Sequence, residues 1–240
     1  MATLNLLYKR DIPINDSIRI VIPKVGEILD CEDSYYGTVS MLTAMPVDLM
    51  AQLYDIGIDF TEINEYELFM LMFPGLQTRD TSLVFGDLSL ADFQAAENPE
   101  NGTVVLLNRK TGVMIDRSIH NQIASALRKI HNLEKNYRKP ANAEAKDYMM
   151  KRAREKLRRQ KNRRESSQLE ALIISLVNTE QYKYDFERTL ELSIYQFNEC
   201  VRQIISKIEY DHRMTGVYAG TIDPKGLRRE ELTWLAQKSK

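Results

Sequence analysis

The sequence predicts an α+β fold: a mixed first part with short strands and a β-hairpin, then a mainly helical second part. Glycine and proline are one indication, because the first 140 residues hold seven of the ten glycines and six of the seven prolines. No residue from Ala141 to Thr215 is either one, and such a span favours helix because both are costly inside helices. Apolar periodicity is the other indication, alternating near residue 20 and following three-four spacing after Asp116.

The first predicted elements lie before residue 75. Ser17 to Ile22 places three isoleucines on one face of a short strand, which Pro23 closes. The apolar, methionine-rich run from Tyr35 to Leu53 predicts one or two helices broken at Pro46. Asn64, with Glu67 three residues later, is typical of an N-terminal cap, and predicts a short helix from Glu65 to Phe73 that Pro74-Gly75 ends.

A hairpin and a helix complete the first part. Val104–Leu107 and Val113–Ile115 flank a glycine-containing loop, which predicts a β-hairpin near residues 104–115. Asp116 then caps a helix with one apolar face. That face consists of Ile119, Ile123, Ala126, Leu127 and Ile130.

The second part predicts three principal helices. The first is strongly basic and runs from Asn142 to about Arg164. Ser167 with Glu170, and Ser193 with Gln196, form capping-box patterns that open the other two. A short helix with the only tryptophan, Trp234, is expected in the tail. We divide the chain into a mixed acidic domain (1–138), a basic helix or linker (139–165) and a helical domain (166–240).

Composition gives no indication of a reaction. Two cysteines and three separated histidines offer neither a disulfide framework nor a metal-ligand spacing. His120 and His131 are expected to be surface or half-buried residues. Neither a phosphate-binding glycine loop nor a nucleophile signature is present. We therefore expect no enzyme activity, no cofactor and no metal, and the longest charge-free run, from Ser34 to Val47, is too short to span a membrane.

Charge is segregated along the chain. Residues 1–100 carry five basic and seventeen acidic side chains, whereas residues 138–164 carry twelve basic and three acidic ones. Such an asymmetry indicates partners, or attraction between segments, more than it indicates fold.

The basic run has three interpretations, all open at this point. It is a solvated helix with an apolar seam of Ala145, Met149, Ala153 and Leu157; or it pairs with acidic surface on this chain or another; or residues 146–164 bind nucleic acid. The candidate residues for binding a partner or nucleic acid are Lys151, Arg152, Arg154, Lys156, Arg158, Arg159, Lys161, Arg163 and Arg164.

Three segments carry a resemblance to a known group: Ile18–Leu29, Tyr182–Phe186 and Leu192–Phe197. An early strand leading into a short helix, and later an aromatic-Asp segment before an Ile-aromatic-x-Phe helix, resemble tail-assembly chaperones and related morphogenesis proteins of tailed bacteriophages of Gram-positive hosts. The resemblance implies a helper without enzyme activity that coats the tape-measure protein and recruits tube subunits.

That resemblance also implies a setting and a set of partners. It places the protein in the host cytoplasm, with retention in the virion left open, and its partners are tail proteins, with self-association possible and no membrane contact. The large basic segment departs from the group. The alternative is therefore a nucleic-acid-binding or virion structural protein that uses the basic helix 146–164.

Overall fold

The computed structural model describes residues 6–98, 102–161 and 167–235, and it confirms the α+β class. The first part contains, in order, β1 Asp11–Pro13, β2 Arg19–Val21, α1 Val25–Leu29, α2 Glu32–Thr43, a 3-10 turn Pro46–Leu49, α3 Met50–Asp55, α4 Glu65–Gln77, α5 Ser82–Phe85, a 3-10 turn Leu90–Asp92, β3 Phe93–Glu97, β4 Val104–Asn108, β5 Met114–Ile115 and α6 Arg117–His131. The second part contains α7 Ala143–Lys161, α8 Gln168–Val177, α9 Phe186–Glu191, α10 Ile194–Tyr218 and 3-10 turns Pro224–Gly226 and Arg229–Leu232.

The predicted early strand is β2, and it pairs antiparallel with β1 so that Ile12 lies opposite Ile20. Ile18, Ile20 and Ile22 are all buried, which confirms their common face. Strand β1 was not predicted from the sequence. It has only three residues and ends in Pro13, and a proline cannot donate a ladder hydrogen bond.

The predicted hairpin is β4 with β5, and β3 pairs on the other edge of β4 to give the order β3-β4-β5. Strand β3 was missed because Gln94, Ala95 and Glu97 are exposed and show no apolar alternation. The Tyr66 hydroxyl ties this sheet to α4, donating to the carbonyl oxygens of Val104 and Ile115, each at 3.1 Å.

The break at Pro46 is confirmed, because α2 and α3 are separated by a 3-10 turn that begins there. The predicted end of α4 at Phe73 is wrong, since the helix continues through Pro74 to Gln77. Pro74 faces solvent, while Phe73 and Leu76 beside it are buried. Burial of the last turn outweighs the hydrogen bond that a proline cannot make.

Side-chain caps begin α8 and α10 as predicted. Ser193 and Gln196 form a capping box on α10, and Ser167 accepts the backbone N–H of Glu170 on α8. Glu32 adds a second cap to α8, accepting from the N–H groups of Gln168 and Leu169 at 3.1 and 3.0 Å. The predicted tail helix is wrong at Trp234, because the last 3-10 turn ends at Leu232.

The main core draws on both parts of the chain. From the second part it takes Leu169, Ile173, Leu176, Tyr182, Ile194 and Phe197, which pack with Ile20, Phe69 and Leu127 of the first. Backbone hydrogen bonds join the same regions, from Val25 N to Leu192 O at 2.9 Å and from Ile194 N to Pro23 O at 2.8 Å. The division at residues 138 and 165 stays a prediction. Within the described ranges, no helix is both long enough and apolar enough to cross a membrane.

Candidate partner-binding surfaces

An open groove of about 1130 Å³ lies between α4, the loop after α3, the start of β4 and the start of α6. We call it the apolar groove. Its apolar lining consists of Ile58, Ile63, Tyr66, Met70, Leu71 and Val104. Leu71 is 48% exposed and Val104 is 55% exposed. Apolar side chains that line a concave, solvent-accessible surface form the kind of groove in which a partner helix is buried.

The two carboxylates that line the apolar groove already have structural roles. Glu67 accepts the backbone N–H of Asn64 at 2.8 Å, and Asp116 accepts that of Ile119 at 2.7 Å, so each carboxylate caps a helix. Burial, followed by the nearby Asp116, raises the pKa of Tyr66 to about 12. Apolar contact is therefore what this groove offers most directly.

The basic helix α7 lies over a second core, formed by Val47, Ala51, Leu53, Phe60, Leu68 and Met150. Met149, Ala153 and Leu157 of the predicted seam pack against it. Ala145 is half-buried and lies outside this cluster, while Met150, which the predicted seam lacked, is the most buried residue of α7. The predicted seam repeats every four residues, whereas an α-helix has 3.6 residues per turn. The seam therefore rotates slowly around the helix, and the buried stripe includes the neighbouring position 150.

Two cations of α7 contact acidic side chains of the first part. Lys146 pairs with Asp59, and hydrogen bonds from Lys146 and Thr61 lower the pKa of Asp59 to about 2. Arg154 pairs with Asp55 at 3.3 Å and also lies 4.5 Å from the ring centre of Tyr54. Packing and these contacts fix the rotation of α7 about its axis.

Most candidate binding residues lie on the side of α7 that faces solvent. Those with exposed side chains, besides Arg154, are Lys151, Arg152, Lys156, Arg158 and Arg159. Lys161 is the last residue of α7. Its side chain, together with all of Arg163 and Arg164, lies outside the described residues.

The chain between α6 and α7 is held by a buried ionic cluster. Arg128 and Lys135 both pair with Glu65, the Lys135 ammonium at 2.6 Å, and Arg128 also donates to the carbonyl of Thr43. Burial alone would raise the pKa of Glu65, but the hydrogen bonds from Lys135 and Arg128 outweigh it and lower that pKa. A second groove of about 730 Å³ runs under this connection, between Phe60 and Pro140.

The prediction for His120 is wrong, because this residue is 1% exposed. Its ring stacks on Phe69 with 4.2 Å between centres, and neither ring nitrogen has a hydrogen-bond partner of good geometry among the described residues. Burial lowers the pKa of His120 to about 4, although a backbone contact with Leu42 acts in the opposite direction. His131 is half-buried and its Nε2 lies 2.9 Å from the Tyr35 hydroxyl. Both act as packing groups. In the part of the chain that the structure describes, no three His, Cys, Asp or Glu side chains are grouped to hold a metal ion.

The comparison with protein families matches residues 159–237 to the family described as YomV second domain. The matched segment, about a third of the chain, contains α8, α9 and α10. This family is phage-associated. The match is consistent with a phage-related protein and does not extend to a tail-chaperone role. Neither the curated proteins nor the solved structures give a match.

Proposed function

We propose that this protein is a phage tail-assembly chaperone that binds helical segments of tail proteins, with the apolar groove as the binding surface. The observation that carries the proposal is the exposure of Leu71 and Val104 in a concave apolar surface of about 1130 Å³. Burying such side chains against a partner's apolar stripe stabilises a complex without any covalent step.

The partner chemistry follows from the groove and from the resemblance. The resemblance implies a long, helical, aggregation-prone tape-measure protein as the partner, and an apolar stripe on such a helix is what this groove would cover. The carboxylates of Glu67 and Asp116 and the guanidinium of Arg117 border the groove. Because two carboxylates face one cation there, a stripe bordered by more basic than acidic side chains fits best, and these rim charges act mainly on encounter rate and orientation. The match of residues 159–237 to a phage-associated family supports the phage setting.

Co-expression with the tape-measure protein of the same phage tests the proposal. The full chain should co-purify with the tape-measure protein and raise its soluble fraction, and Leu71→Asp should abolish both effects. Ile174→Asp is the matched control, because Ile174 lies on α8 and is 49% exposed against 48% for Leu71. Equal loss in both variants, or no co-purification by the wild type, would count against the proposal.

A further inference from the structure

The outer side of α7 presents five basic side chains together. They are Lys151, Arg152, Lys156, Arg158 and Arg159, which we call the basic face. At 100° per residue, Lys151, Arg152 and Arg159 lie about 100° or more from Met150, Ala153 and Leu157, which pack on the second core. Lys156 and Arg158 lie at the two edges of this exposed side. The basic face is therefore fixed on a packed helix and directed towards solvent.

Ion pairs within the described residues do not neutralise the positive charge of the basic face. The α7 ion pairs found between described residues use Lys146 and Arg154, which turn towards the first part of the chain. From residue 151 to residue 159 the outer side holds one carboxylate, that of Glu155, against five cations. A net excess of about four charges along two turns attracts a polyanion.

Two exposed aromatic rings border the basic face. Tyr148, on α7, is 61% exposed, and Tyr54, on α3, is 56% exposed. The Arg152 guanidinium lies 5.8 Å from the Tyr148 ring centre. Tyr54 and the basic side chains Lys151, Arg154 and Arg158 line one shallow recess of about 340 Å³, together with Met150 and the carboxylates of Asp147 and Glu155. Planar rings and guanidinium groups are the surfaces on which unpaired bases stack.

We propose that the basic face, with Tyr54 and Tyr148, binds single-stranded nucleic acid without strong sequence preference. The cations follow the phosphates, and the two tyrosines stack bases. A duplex hides the faces of its bases, and an acidic protein gains little from the tyrosines, so a single strand uses both features of this surface. The site lies on α7 and α3, apart from Leu71 and Val104 of the apolar groove, and does not depend on the proposed function.

The proposed contacts between the cations and the phosphates can be tested by fluorescence anisotropy, with the full chain and a labelled 20-nucleotide oligothymidylate. Binding should weaken with salt, with a slope of log K against log salt of about −3 for four phosphate contacts. Arg158→Ala with Arg159→Ala should reduce the slope by about 1.4. Lys129→Ala with Lys225→Ala, two exposed cations elsewhere, should leave the slope unchanged. Absence of binding at low salt, or equal effects of both pairs, would overturn the proposal.

Tyrosine variants test the proposed stacking of bases on Tyr54 and Tyr148. Tyr54→Ser and Tyr148→Ser should each weaken binding about tenfold at an unchanged salt slope, because a stacked base contributes without charge. Tyr218→Ser, at a residue 83% exposed at the end of α10, is the control and should bind like the wild type. Equal or tighter binding of a 20-base-pair duplex, or displacement of the strand by polyglutamate at equal charge, would overturn the proposal. Leu71→Asp should bind the strand normally, which separates this test from that of the proposed function.

Discussion

The guanidinium of Arg128 is buried beside the carboxylate of Glu65, and each side chain is 9% exposed. Breaking a buried pair from one side leaves an uncompensated charge, which typically costs about 3–5 kcal/mol. Glu65→Gln should therefore lower the free energy of unfolding in urea by roughly this amount. Asp87→Asn removes the exposed Arg19–Asp87 pair and should give no measurable change. A loss for Glu65→Gln no larger than for Asp87→Asn would show that the cluster does not stabilise the fold.

Two histidines are expected to make the free energy of unfolding depend on pH. Burial lowers the pKa of His120 and of His131 from 6.5 to about 4. Both are neutral in the folded protein at pH 5, while the unfolded chain takes up protons below 6.5. The stability present at neutral pH should therefore fall as the pH drops from 6.5 towards 4, by on the order of 2 kcal/mol for each histidine at pH 5.

His120→Met tests this dependence, since the variant keeps an apolar contact with Phe69 and removes two unpartnered nitrogens. It should be as stable as the wild type at pH 7, and about half of the acid sensitivity should disappear in urea titrations at pH 7, 6 and 5. An unchanged pH profile would place the acid sensitivity elsewhere.

The burial of His120 had a signal in the sequence. It lies three and seven positions before Ile123 and Leu127 on the apolar stripe of α6. The expectation of a surface or half-buried residue followed residue type and not position on the helix. The Glu65–Arg128 pair had no such signal, because 63 residues separate its members and only the packing of α4 against α6 brings them together.

At the scale of single elements, α7 shows how much can be predicted from the local sequence pattern. Its basic composition, its start near Asn142 and most of its seam were predictable, because they follow from neighbours along the chain. The surface on which α7 packs was not predictable, since the second core combines residues of the 3-10 turn at Pro46, of α3 and of α4. The continuation of α4 past Pro74 was unpredictable for the same reason, as burial of Leu76 depends on distant residues.

Met150→Ala tests whether α7 depends on the second core. Removing a buried methionine side chain typically costs 2–5 kcal/mol, and about 2 kcal/mol is expected at this small cluster. Hydrogen exchange should accelerate in residues 143–161 and 46–55, while residues 117–131 in the main core keep their protection. Lys151→Ala, one position outward, is the control. Uniform acceleration over the whole chain would show that the second core is not a separate unit of stability.

For the whole molecule, α+β architecture was predictable from glycine, proline and periodicity, whereas the sharing of one main core was not. Phe197 and Ile194 belong to α10 but pack with Ile20 and Leu127. Phe197→Ala should cost about 3–5 kcal/mol and reduce exchange protection in α6 as well as in α10. Exposed Ile205, replaced by alanine, is the control. Loss of protection confined to α10 would mean that the two parts are stabilised independently.

Hydrogen exchange of the full chain, with and without a helical segment of the tape-measure protein, tests the proposed binding surface most directly. We predict protection of the outer face of α4 around Leu71, of residues 103–104 and of residues 116–121, which line the apolar groove. Protection confined to the outer side of α7, or unchanged exchange at a saturating concentration of a segment that chemical crosslinking shows to be bound, would contradict the account.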